Sequence, residues 1–192
     1  MALSQYNIKI ELREILLKDR PEELLKISPK GTVPVLQLPN KKIIDESLDI
    51  INWVLKNNDS DWTEVNYDEQ KQIIKTNDEV FKYHLDRYKY SDRYPEQSEG
   101  FYQKECEKYL LQYEKKLSEN IFFVCNKIQL VDIALFPFIK QYAQMNKLDF
   151  LKLFPKLNKF LDGLLESKLF NSVMKKYPVW TLNSEKLITD FS

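Results

Sequence analysis

Glu46 and Ser47 are the residues of this chain whose types and placement speak most directly of chemistry. They stand where a turn through Asp45 enters an amphipathic helix. A serine there presents its hydroxyl, with the unpaired N–H groups of a helix N-terminus, to a carboxylate. A glutamate beside it accepts from an ammonium group, so the pair suits a ligand end that carries both charges. The plainer reading is N-capping by Asp45 or Ser47, worth about 1 kcal/mol, and both roles can coexist. Lys30 could reach a further carboxylate, although an exposed lysine is ordinarily solvated surface. Asp132 follows Gln129 at the spacing of a capping box, with Ile128 and Ile133 spaced as a hydrophobic staple. Gln129 is a poor N-cap residue, but Asp132 can still reach back to its N–H. This pair reads as structural support for a central helix.

The other reactive residue types offer less. Cys106 is flanked by Glu105 and Glu107, which raise a thiol pKa and lower its reactivity. Cys125 lies outside any metal-ligand spacing, and two cysteines are too few for a disulfide framework. The single histidine, His84, sits among Tyr83, Tyr88 and Tyr90. That group could line a substrate cleft, but packing and surface roles are the commoner ones. With one histidine and three glycines, neither a His-rich metal site nor a phosphate-cradling glycine loop can be built. No metal is expected. Lys plus Arg and Asp plus Glu are both 29, so nothing steers the chain to nucleic acid. No apolar run approaches a membrane span, and the first residues lack a signal-peptide pattern. A cytoplasmic location is the default expectation.

The elements that must position these residues can be read from periodicity. Residues 8–13 alternate apolar and charged, as in a half-buried strand. A helix should follow with Pro21 at its first position, ending near Ser28-Pro29. Val33 to Leu38 and Lys42 to Ile44 read as two strands across a Pro39-Asn40 turn. The next helix runs from about Ser47 to Leu55. The polar stretch 56–61 reads as a linker, and beyond it strand signals cease. Two long helices are predicted over about 67–88 and 97–118. Val131 to Tyr142 is apolar nearly all round, as in a buried central helix. Shorter helices follow Pro155 and Ser167.

This order resembles the glutathione transferase family. The resemblance rests on Ser28-Pro29-Lys30-Gly31-Thr32-Val33-Pro34-Val35-Leu36, on Asp45-Glu46-Ser47-Leu48-Asp49-Ile50, and on the run from Leu130 to Ile139. The stretch Phe81 to Tyr90 looks like a subset of bacterial members. The fold implied is an α/β thioredoxin-like domain, truncated, over 1–56. A linker at 57–62 and an all-helical bundle over 63–192 complete it. The family's proline matching Pro34 is cis, which turns the N–H and C=O of Val33 outward to pair with a cysteinyl backbone like an added strand. The resemblance thus implies glutathione, as co-substrate, held by Lys30, Val33, Pro34, Glu46 and Ser47. It implies transfer of the thiol to an electrophile or reduction of a mixed disulfide, and leaves a homodimer open.

The same comparison implies a missing start. Met1-Ala2-Leu3 falls inside the family's first helix, so a strand of about 5 residues, a turn and about two helical turns should precede it. In the bacterial subset that turn carries a Cys-Pro-Tyr or related motif whose first residue contacts the glutathione sulfur. No catalytic residue is therefore named, and Ser4 and Tyr6 should face away from the cleft. Without the first strand, residues 8–13 would lack their inner neighbour and Val33–Leu38 would present an open edge. Either the start codon was placed at an internal methionine or the chain is a genuine remnant. The alternative function is a non-catalytic transferase-like binding module.

Overall fold

The structure is a computed structural model that describes residues 1–191. The chain forms two compact units, one of Met1–Asp59 with the chain from Ser167 on, the other Ser60–Glu166. The stretch 63–192, expected to be all helical, is thus shared between the units.

The first unit holds α1 (Ala2–Gln5), β1 (Ile10–Glu11), α2 (Glu22–Ile27), β2 (Leu36–Gln37), β3 (Ile43–Ile44) and α3 (Ser47–Lys56). The predicted strands are present but short. The helix predicted from Pro21 begins at Glu22, because Pro21 keeps an extended ψ of 146° and acts as the N-cap. β2 and β3 pair antiparallel in the register Leu36↔Ile44 and Gln37↔Ile43. Lys41 closes their hairpin at φ 65°, and its N–H donates to the Leu38 carbonyl at 2.8 Å. Gly31 is needed where it stands. Its φ is +62°, and a Cβ there would meet Leu25 Cδ2 at 3.0 Å and Arg20 Cδ at 3.1 Å. The core of this unit is small, with Ala2, Ile44, Ile50 and Val54 as its buried apolar residues.

The chain returns to this unit at its far end. α10 (Lys168–Val173) packs on α1, and the hydroxyls of Ser4 and Ser172 are 2.8 Å apart. The last stretch, to which the sequence assigned no element, contains β4 (Ile188–Thr189), antiparallel to β1 with Ile10↔Thr189 and Glu11↔Ile188 in register. Residues 8–13 therefore have a strand partner supplied by the C-terminal segment.

The second unit is helical. α4 (Tyr67–Thr76) runs through a π-helical turn (Asn77–Phe81) into α5 (Lys82–Lys89), followed by α6 (Glu99–Glu119), α7 (Leu130–Met145), α8 (Lys147–Leu153) and α9 (Pro155–Leu165). α8 was not expected. α7 packs against α4, α5, α8 and α9, and Val131, Leu135 and Ile139 on it are fully buried. Among the described residues no helix is long and apolar enough to cross a membrane.

Two helices here have N-termini satisfied from other helices. Gln70 on α4 accepts from the Val131 N–H at 3.1 Å. It donates to the carbonyls of Trp62 and Val65 and to Gln129 Oε1. Glu114 on α6 accepts from the N–H groups of Lys156 and Leu157, each at 2.8 Å, at the start of α9. Both arrangements pair donors that a helix leaves open in its first turn.

Candidate functional site

The candidate site is built on the turn between α2 and β2 and on the junction between β3 and α3. Ser28 ends α2 and is buried, and its hydroxyl donates to Asp45 Oδ2 at 3.0 Å. The Gly31 N–H closes the turn on the Ser28 carbonyl at 2.9 Å. Lys30 then lies between two carboxylates, 3.4 Å from Asp45 Oδ1 and 2.8 Å from Glu46 Oε1. The Ser28 hydroxyl, then the Lys30 charge, hold the Asp45 carboxyl below its usual range. Hydrogen bonding to Glu46, then to Asp45, raises the Lys30 ammonium. These are exposed pairs, so each contributes little to stability.

The Val33–Pro34 peptide bond is cis. Val33 is 46% exposed, and its N–H and C=O pair with no group among the described residues. At the start of α3, Glu46 occupies the N-cap with extended backbone, and no side chain caps the helix. Asp45 is committed to Ser28 and Lys30 instead. The first N–H to find a carbonyl is that of Ile50, on Glu46 at 3.0 Å, so the N–H groups of Ser47, Leu48 and Asp49 remain open. Open N–H groups at an exposed helix start favour an anion, a carboxylate included.

Of the residues named from sequence, the structure joins Lys30 to Glu46 directly. Val33 and Pro34 follow in the irregular stretch between the Gly31 turn and β2, and no hydrogen bond or ion pair among the described residues links Val33 or Ser47 to the rest. Sequence reasoning missed the Ser28–Asp45 bond, which ties the two segments together. Its signal was present in the two family-like runs, but nothing in them says that their first members touch. Gln129 and Asp132 belong to the other unit. Asp132 accepts from the Gln129 N–H at 2.7 Å and from the Phe123 N–H at 3.0 Å, while the Gln129 side chain donates to the Ile128 carbonyl. Burial pushes the Asp132 carboxyl up to about 7, against the opposing pull of those two N–H groups.

The thiols offer no chemistry to this site. Cys106 is fully buried, and burial, more than its flanking glutamates, pushes it up to about 12. Cys125 also lies in the helical unit. No group of three or more histidine, cysteine or acidic residues among the described residues could hold a metal ion.

Comparisons with known proteins agree with this layout. A family model described as the N-terminal domain of glutathione S-transferase matches residues 1–62, and one described as its C-terminal domain matches residues 70–168. Among solved structures, the ternary complex of BphK, a bacterial glutathione transferase, has a TM-score of 0.72 at 18% identity over 89% of this chain and 88% of that one. A Methylobacillus flagellatus glutathione transferase with glutathione bound has a TM-score of 0.71 at 19% identity, covering 88% and 90%. The glutathione transferase URE2P6 of Phanerochaete chrysosporium, in complex with oxidized glutathione, has a TM-score of 0.68 at 23% identity, covering 80% and 76%. At such identities the likeness is one of fold. No curated protein matches the chain.

Proposed function

Because this chain belongs to the glutathione S-transferase family, with a thioredoxin-like N-terminal domain and a helical C-terminal one, we propose that its first unit binds glutathione. The free Val33 backbone carries this reading. Its N–H and C=O pair with the cysteinyl backbone of the tripeptide as an added strand would. The open N–H groups of α3 and the Ser47 hydroxyl take the γ-glutamyl carboxylate, and Glu46 takes its ammonium group. Lys30 takes the glycine carboxylate, exchanging Glu46 for the ligand as it does so. The bound thiol is then presented to an electrophile or a mixed disulfide as the co-substrate. Titration calorimetry with glutathione tests the reading. Ser47→Ala and Lys30→Ala should each weaken binding about tenfold, the value of one charge-assisted hydrogen bond. No heat with the unaltered chain at millimolar glutathione would overturn it.

A second reading, binding without turnover, is favoured by the state of the one serine on α1. Ser4 is already bonded to Ser172 at 2.8 Å, so its hydroxyl is committed away from a ligand thiol. Under this reading the chain titrates with glutathione but conjugates a chromogenic electrophile no faster than glutathione alone. Turnover typical of the family would exclude it.

A further inference from the structure

We propose that the edge of β1 is a strand-binding surface for the chain's own C-terminal segment, filled in cis by a releasable strap. A second copy of this chain is then the partner that the surface fits.

The segment from Pro178 to Thr189 is held on β1 almost wholly through backbone. Thr189 and Ile188 stand opposite Ile10 and Glu11. The Leu12 N–H donates to the Leu187 carbonyl at 2.8 Å, and the Trp180 N–H donates to the Glu14 carbonyl at 2.8 Å. Side chains add one stacking contact, the Arg13 guanidinium 4.7 Å from the centre of the Trp180 ring. What is lacking is burial. No residue from Lys175 to Phe191 is buried, and Val179, Leu182 and Ile188 are 46%, 73% and 58% exposed. Where the segment crosses Ile15, Leu16 and Pro21 it leaves a cavity of about 280 Å³. A strand held by solvent-accessible hydrogen bonds with little apolar burial opens at a free energy well below that of global unfolding.

Opening uncovers the N–H of Leu12 and the carbonyl of Glu14, the row of groups that recruits another strand. The segment best matched to that row is the one already seated there. The same residues from a second copy make the same bonds in the same register, as in exchange of an identical element between protomers. The chain from Met174 to Tyr177, free of helix and strand, joins α10 to the strap and serves as the hinge.

The test uses the full chain with Thr189→Pro and a synthetic peptide of residues 178–191. Thr189 lies two positions from the hydrogen-bonded Leu12–Leu187 pair, so its N–H faces β1 by the antiparallel alternation. Proline removes that donor. The variant should lose hydrogen-exchange protection at the Leu12 amide and keep it at Leu135. The peptide should bind the variant and restore protection at Leu12. It should bind the unaltered chain on the order of tenfold more weakly, because the tethered strap competes at high effective concentration. A Leu12 amide equally protected in both chains would overturn the proposal. So would equal peptide binding to both chains, equal binding of a scrambled peptide, or joint loss of protection at Leu12 and Leu135.

Discussion

At the scale of single residues, the candidate site depends on side chains that touch no ligand. Gly31 must adopt φ +62° with Leu25 and Arg20 closing over it. An alanine there carries a strain of about 1–2 kcal/mol besides the clash, so Gly31→Ala should lower the Tm and loosen the Ser28–Asp45 bond beside it. Ser28→Ala removes the donor that holds Asp45, leaving the carboxylate free to swing toward the open N–H groups of α3. Glutathione affinity should then fall although Ser28 meets no ligand, a result calorimetry would register beside an unchanged far-ultraviolet circular dichroism spectrum. The two thiols make a further test. Cys106 is fully buried and pushed up to about 12, while Cys125 is part-exposed. An alkylating reagent at neutral pH should label Cys125 in the native protein and reach Cys106 only after unfolding. Mass spectrometry distinguishes the two.

At the scale of elements, the start of α7 is held by residues far apart in the chain. Gln70 pairs the Val131 N–H, and Asp132 pairs those of Gln129 and Phe123. Gln70→Leu leaves a fully buried donor without a partner, which costs about 1–3 kcal/mol. Chemical denaturation should show that loss in the helical unit. Asp132 adds a dependence on pH. Its folded value of about 7 lies above the ordinary 3.8, so the folded state holds the proton more tightly than the unfolded chain. The contribution is complete below about 3.8 and is lost as pH rises through about 7. Stability measured from pH 4 to pH 7 should therefore decline relative to an Asp132→Asn variant, in which the group cannot titrate. A flat difference between the two would count against a raised carboxyl.

At the scale of the whole molecule, apolar burial is divided unevenly. The unit from Ser60 to Glu166 holds nearly all the buried apolar residues, with α7 at its centre, and the other unit buries Ala2, Ile44, Ile50 and Val54. Burial is the chief source of stability, at about 25 cal/mol per Å² of apolar surface, so resistance to opening should follow it. Native-state hydrogen exchange should find the slowest amides at Leu135 and Ile139 and much faster ones at Leu36 and Ile10. Comparable rates in both units would mean that something besides core size holds the first one.

The sequence alone determined most of the elements, and its family-like runs carried the fold class. It could do so because these properties are local. Period-two alternation marks residues 8–13, and a run apolar nearly all round marks α7. The tertiary structure decided what local patterns cannot carry. One such decision is the partner of β1, which comes from Leu187–Thr189 at the opposite end of the chain. A two-residue strand in an exposed segment has no periodicity to read, and nothing in either segment names the other. Capping is the second. Gln129 is a weak cap by type, and the donor at Val131 is satisfied by Gln70, whose role depends on how α4 lies against α7. The third is Asp45, legible as a helix cap and used instead to join two loops, because Ser28 and Lys30 reach it first.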